Sequence, residues 1–178
     1  DKNAHYHYNK KEKQHPVEKN NIGKYAAELV EDNDFIFIDC GTTTAYMAKY
    51  LAKRIKENKL HNTTIVTNSL INVEELSGFP NVILLGGNFN PERKSFFGLL
   101  TLNLIKQFHF TKCFLGVDGV TIENGLMTTL INSAILDNAV VSSSDVVYAI
   151  TDSSKMNIPS CVNITNINEV NYIITDNN

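Results

Sequence analysis

Tryptophan is absent from the chain, and proline (4) and glycine (9) are scarce among its 178 residues. So small a supply of chain breakers excludes collagen-like, Pro-rich and Gly-rich low-complexity architectures. Nor is there a surplus of positive charge, since 16 Lys and Arg face 19 Asp and Glu for a net charge of −3. A segment that grips nucleic acid by its phosphates normally carries a basic excess, so this stretch is not expected to bind DNA or RNA directly. No apolar run approaches the roughly 20 residues that span a bilayer, so no membrane partner is expected, and no secretory pattern opens the chain. Cysteine is limited to Cys40, Cys113 and Cys161. An odd, scattered set argues for reduced thiols in the cytoplasm rather than a disulfide framework.

What is present is globular in character: 43% of residues are hydrophobic and 20% charged. The length suits one domain with a core of its own. The chain opens on Asp1 rather than Met, which suggests a longer protein. Residues 1–21 hold three of the five histidines and five lysines with almost nothing apolar. They read as a polar linker or extended arm, and residues 22–178 as the folded domain. His5-Tyr6-His7 with His15 is weak as a metal site, because no cysteine or carboxylate pattern frames it. No metal or other cofactor is expected.

From Ile22 onward, helical and strand patterns alternate. Ile22, Tyr25, Ala26, Leu29 and Val30 make one helix face, and Ala48, Leu51, Ala52 and Ile55 another. Apolar runs at 35–38, 64–67, 82–85, 113–117 and 146–150 read as strands, with short strands near 161–164 and 172–175. Helices are expected at 70–76, 99–108 and 131–141. This alternation predicts an α/β fold with a mostly parallel sheet. Ligands bind at the carboxyl ends of such strands. There stand Asp39 and Gly41-Thr42-Thr43-Thr44, then Thr67-Asn68-Ser69, Gly86-Gly87, Asp118-Gly119, and Asp152 to Lys155. Singly, each is an ordinary turn or capping residue. Together, five successive strand ends that are small and polar describe a pocket for a hydrophilic ligand. Gly41-Thr42-Thr43-Thr44 offers hydroxyls and free amides at a helix start, where an anion such as phosphate is favoured. Neither the P-loop spacing nor a G-x-G-x-x-G fingerprint occurs, which disfavours nucleotides.

Taken in order, these motifs resemble the C-terminal effector domain of DeoR-type transcriptional regulators. The resemblance rests on Asp39-Cys40-Gly41-Thr42-Thr43-Thr44, Thr67-Asn68, Leu85-Gly86-Gly87 with Phe97-Gly98, Phe114-Leu115-Gly116-Val117-Asp118-Gly119, Gly125-Leu126-Met127-Thr128, Asp152-Ser153-Ser154-Lys155 and Ile173-Ile174-Thr175-Asp176. It implies a fold similar to ribose-5-phosphate isomerase: a Rossmann-like, mostly parallel sheet with helices on both faces and a small appended subdomain. It also implies a phosphorylated sugar effector, a DNA-binding winged helix-turn-helix upstream of this segment, and a homo-oligomer, dimer or tetramer. Residues 1–21 would then connect the two domains. Their polarity suggests that the signal passes through the oligomer interface rather than through arm packing. In the effector site, Gly41, Thr42, Thr43 and Thr44 would cradle the phosphate and Lys155 neutralise it or bind a nearby sugar oxygen. Asp39 and Asp118 would accept sugar hydroxyls, with Asn68, Gly86 and Gly87 shaping the wall and Thr67 and Gly119 also among the binding residues. The chain departs from the pattern at Asn132-Ser133-Ala134-Ile135-Leu136-Asp137, where relatives tend to carry Glu-Ala and then a basic residue. An acid suited to isomerase chemistry is missing there, so a sensor is expected rather than an enzyme. A sugar-phosphate isomerase or deaminase of the same fold is the alternative, with Asp118 as its base and Lys155 stabilising negative charge.

Overall fold

Phe35-Ile36-Phe37-Ile38 is apolar at every position because the strand it forms, β1 (Phe35–Ile38), is covered on both faces. A computed structural model describes residues 7–177. Ile36 and Ile38 face one core with Ile22, Ala26, Met47, Ala48 and Leu51, while Phe37 faces another with Val66, Ile105, Phe110 and Leu136. The elements before and after β1 are α1 (Tyr8–Glu12), α2 (Pro16–Glu28), α3 (Thr42–Lys56), β2 (Thr64–Thr67), α4 (Leu70–Glu75) and β3 (Val82–Leu84). Next come β4 (Asn88–Asn90), β5 (Ser95–Phe97), α5 (Leu99–Ile105), β6 (Phe110–Gly116), β7 (Gly119–Thr121) and β8 (Gly125–Thr128). The chain closes with α6 (Ile131–Ser142), β9 (Ser144–Ile150), β10 (Val162–Thr165) and β11 (Tyr172–Ile174).

The main sheet has the order β11-β9-β6-β1-β2-β3, and every pairing in it is parallel. From β1 the chain steps outward through β2 and β3. It then crosses back to lay β6, β9 and β11 on the other side. The loops leaving β1 and β6 therefore diverge, and a crevice opens between their carboxyl ends. The appended subdomain is the small antiparallel sheet β10-β8-β7, which covers Val117, Val120, Leu126 and Ile164. A second antiparallel pair, β4-β5, forms a hairpin. The periodicity of the sequence does not reveal β4, β5, β7 or β8. Each is only three or four residues long, too short for alternation to register.

The arm departs from expectation within the described residues. Residues 8–21 are not extended: they contain α1 and the first turns of α2, which starts at Pro16 rather than Ile22. Proline suits the first helical position because its missing N–H has no partner there anyway. Just before it, His15 takes a left-handed backbone (φ 51°) that turns the chain between the two helices. Tyr8 and Lys19 are buried, so polarity does not keep this segment off the domain. His5 and Tyr6 lie outside the described residues, and among those described no group of three His, Cys, Asp or Glu converges to hold a metal ion.

Helix α2 packs on α3 at a point that only glycine allows. A Cβ on Gly23 would stand 2.6 Å from the Cβ of Tyr46 and 2.7 Å from the amide nitrogen of Met47. Gly23→Ala must push the helices apart and is expected to cost ~1–3 kcal/mol, the usual range for overpacking. Thermal unfolding followed by circular dichroism checks this, and an unchanged midpoint would show that the helices part freely.

Candidate functional site

Three parallel strands deliver their carboxyl ends to the crevice. β1 brings Asp39 and Gly41, β6 brings Gly116, Val117 and Asp118, and β9 brings Thr151 and Asp152, with Lys155 one turn later. Thr42 and Thr43 open α3 against the same space. Gly41 caps α3 with an extended backbone and without any side-chain hydrogen bond, which leaves the first-turn amides to the pocket. The turn itself is pinned from behind. The Thr44 hydroxyl lies 2.7 Å from both the Asp39 and the Gly41 carbonyl oxygens.

Asp118 is the most heavily engaged group. Its Oδ2 accepts from the Thr129 amide and hydroxyl (both 3.0 Å), from the Thr128 hydroxyl (3.1 Å) and from Arg93 Nη2 (3.4 Å). Its Oδ1 takes the Lys11 ammonium, carried on α1. Burial alone would raise its pKa. The charges of Lys11 and Arg93 and the hydrogen bonds outweigh burial and hold it far below the ordinary carboxylate range. Asp39 is different. Burial pushes it up, partly offset by the Cys40 backbone amide and the Arg93 charge. Its Oδ2 accepts weakly from the Gly116 amide (3.3 Å), and its Oδ1 is buried with no hydrogen-bond partner among the described residues. Asp137, the departure noted on α6, is fully buried. Burial first, then the charge of Asp39, push it well up, so it favours the neutral acid, and the Ser133 hydroxyl donates to it at 3.1 Å.

Four cations line the pocket, of which Lys155 alone was legible. Lys11 and Lys19 come from the arm and Arg93 from the turn between β4 and β5. Lys19 donates to the Lys11 carbonyl. Its pKa falls to about 8, chiefly through burial, with Lys11 and Lys155 lowering it further and Asp152 opposing them. No local motif marks Lys11, Lys19 or Arg93, because only tertiary contacts bring them here.

Of the residues expected to bind, Asp39, Gly41, Thr42, Thr43, Asp118 and Lys155 do line this pocket. The others hold the framework and lie off its lining. Thr44 has no exposed surface. Thr67 donates to the Ile38 carbonyl (2.7 Å) and accepts from the Ser69 amide and from Asn72. Asn68 donates to the Phe96 carbonyl at 3.0 Å, which ties β2 to the hairpin. The Gly86 carbonyl accepts from the Thr101 hydroxyl at 2.8 Å. A Cβ on Gly87 would fall 2.2 Å from that hydroxyl oxygen, and one on Gly119 would fall 2.3 Å from the Ile158 carbonyl oxygen. These glycines permit close backbone packing instead of facing a ligand.

Asp118→Asn leaves Lys11 and Arg93 without their counter-charge and is expected to cost ~3–5 kcal/mol at neutral pH, as for a broken buried pair. Because the folded pKa is depressed, the carboxylate's contribution is full above about pH 4, the ordinary Asp value, and is lost as pH falls toward the folded value. Urea unfolding between pH 7 and 2 should therefore show the gap between variant and parent closing on acidification.

The profile of the DeoR C terminal sensor domain matches residues 14–177. Among curated proteins, the HTH-type transcriptional regulator GolR of Listeria innocua is 33% identical over 162 residues, covering 90% of this chain and 61% of its own length. The lactose phosphotransferase system repressor of Staphylococcus epidermidis is 34% identical over 166 residues, covering 90% and 62%. The chain thus spans about three-fifths of these relatives. Among solved structures, ribose 5-phosphate isomerase from Plasmodium falciparum superposes with a TM-score of 0.58 at 18% identity, over 78% of this chain and 52% of that one. eIF2B delta from Chaetomium thermophilum superposes with a TM-score of 0.59 at 17% identity, over 91% and 56%. The isomerase-like Rossmann architecture, the ordered strand-end motifs and the profile match agree, and the chain belongs to the family of DeoR C-terminal sensor domains.

Proposed function

We propose that this domain senses a phosphorylated sugar and that effector binding governs a DNA-binding segment upstream of it in a cytoplasmic regulator of sugar metabolism genes. One observation carries the reading: Lys19 and Lys155 converge with the uncapped first turn of α3 at the crevice between β1 and β6. Lys11 and Arg93 are paired with Asp118, which leaves Lys19 and Lys155 as the cations offered to a phosphate. The pKa of Lys19 is lowered chiefly by burial, with Lys11 and Lys155 adding to it, and a phosphate dianion would supply the counter-charge that favours its ammonium form. The buried Asp39 Oδ1 supplies an acceptor for a sugar hydroxyl.

This is a sensor and not an enzyme in our reading. A general base works best with a pKa near the operating pH. Asp118, the carboxylate nominated for that role, is instead held far below the ordinary range and engaged by donors on both oxygens. A homo-oligomer is supported by an exposed apolar face on the adjoining helices α5 and α6. Leu99 and Leu100 there are 70% and 69% exposed, and Ile131 and Ile135 60% and 50%. The relatives are named as an HTH-type transcriptional regulator and a repressor, and about two-fifths of their length lies outside the matched segment, which supports DNA contact through such a further segment.

Calorimetric titration with sugar phosphates, each beside its unphosphorylated parent, tests the proposal. Binding should require the phosphate and should weaken by an order of magnitude or more in Thr43→Val and in Lys155→Ala. Lys19 adds a pH signature. Its free-state pKa of about 8 is raised by a bound anion, so affinity falls as pH climbs through 8 and binding takes up a proton there. Lys19→Met should abolish that slope, whereas a slope unchanged in the variant would remove Lys19 from the site.

A further inference from the structure

The pocket is already filled from within. Its open space is about 40 Å³, room for a few water molecules at roughly 10–15 Å³ each, against the roughly 300 Å³ or more of a typical ligand pocket. What fills it is the arm. Lys11 reaches from α1 to Asp118, 107 residues away in sequence, and closes the last side of a carboxylate whose Oδ2 is taken by Arg93, Thr128 and Thr129. While Lys11 is there, Asp118 has little capacity left for a hydroxyl. Lys19 holds the Lys11 carbonyl, so both arm lysines are committed to one geometry. The rest of α1 is held chiefly at one residue, the buried Tyr8. The Tyr8 amide donates to the Glu92 carbonyl at 2.9 Å, and Lys94 stands 5.1 Å over the Tyr8 ring. A helix of five residues has no stability of its own and persists only while it is docked.

We propose that the arm and the effector compete for this pocket: the Lys11 ammonium stands on Asp118 where the effector must bind, so effector binding expels Lys11 and undocks α1. The inference rests on the sugar-phosphate reading of the site. It adds that the signal leaves through the arm. It also makes the resting affinity a composite, since the effector binds only the fraction of molecules whose arm is open.

The test uses the 178-residue chain, Lys11→Met, which keeps the aliphatic stem, and Tyr8→Ala, which weakens docking without altering the charge of the pocket. Ribose 5-phosphate, glucose 6-phosphate, fructose 6-phosphate and inorganic phosphate are titrated into each, and amide exchange across residues 8–13 is followed with and without ligand. Both variants should bind the sugar phosphate about tenfold more tightly than the parent if the arm is closed about nine-tenths of the time. In the parent, ligand should speed exchange in α1. Weaker binding by Lys11→Met, or slower exchange in α1 on binding, would make Lys11 an effector ligand and overturn the competition. Equal affinity in all three chains would also overturn it while leaving the sugar-phosphate reading intact. Failure of every compound on every chain would overturn that reading and this inference with it.

Discussion

One carboxylate organises the functional end of the molecule. Asp118 collects an ammonium from the arm, a guanidinium from the β4-β5 turn, and hydroxyl and amide donors from the end of β8. Each of these segments is short, and none makes a large core of its own. The ion pairs are worth more than surface pairs because the carboxylate is buried, and they would be costly to leave half made. Arm, hairpin and small sheet therefore share a single electrostatic anchor. A disturbance at that point is felt in three places that do not otherwise adjoin in sequence.

The parallel sheet makes such an anchor possible. Two apolar layers hold β1 and β6 side by side, with Phe37 paired to Cys113 and Ile38 to Phe114. The main-chain positions of Asp39 and Gly116 are thereby fixed before any ligand arrives. A site built on rigid strand ends keeps its geometry while the arm above it moves, and this division of labour suits a sensor. Burial and the charge of Asp39 push the Asp137 carboxyl up, which disfavours a negative charge below the pocket. Placing a base or a fixed cation there would change the balance the pocket presents to an anion.

Much of this architecture was legible in the residue pattern. Fully apolar four-residue runs announce strands covered on both faces, and small polar residues after them announce the crevice. This logic places Asp39, Gly41, Thr42, Thr43, Asp118 and Lys155 at the crevice, and they line it. The same logic overreached at Thr44, Thr67 and Asn68, whose polar groups are taken up by nearby main-chain partners. It overreached also at Gly87 and Gly119, where the missing side chain serves packing, and at Gly86, whose carbonyl is taken by Thr101. A strand-end position says that a residue is near the crevice but not which way its side chain turns. Lys11, Lys19 and Arg93 were out of reach for a different reason. Their environment is made wholly by tertiary contacts, and a lysine-rich stretch reads alike whether solvated or folded onto a carboxylate.

The separation between Lys11 and Asp118 has a consequence for biosynthesis. A ribosome releases the arm first, and its partner carboxylate emerges only after another 107 residues. Strand β1 pairs with β2 early but lacks its other neighbour until β6 emerges, since Ile36 pairs with both Ile65 and Lys112. Until β6 is made, the nascent chain carries a one-sided sheet and an undocked arm. Non-local parallel pairings of this kind form slowly because loop closure comes before the contacts that reward it. The arm thus stays undocked through most of synthesis and closes on Asp118 only after β6 is in place.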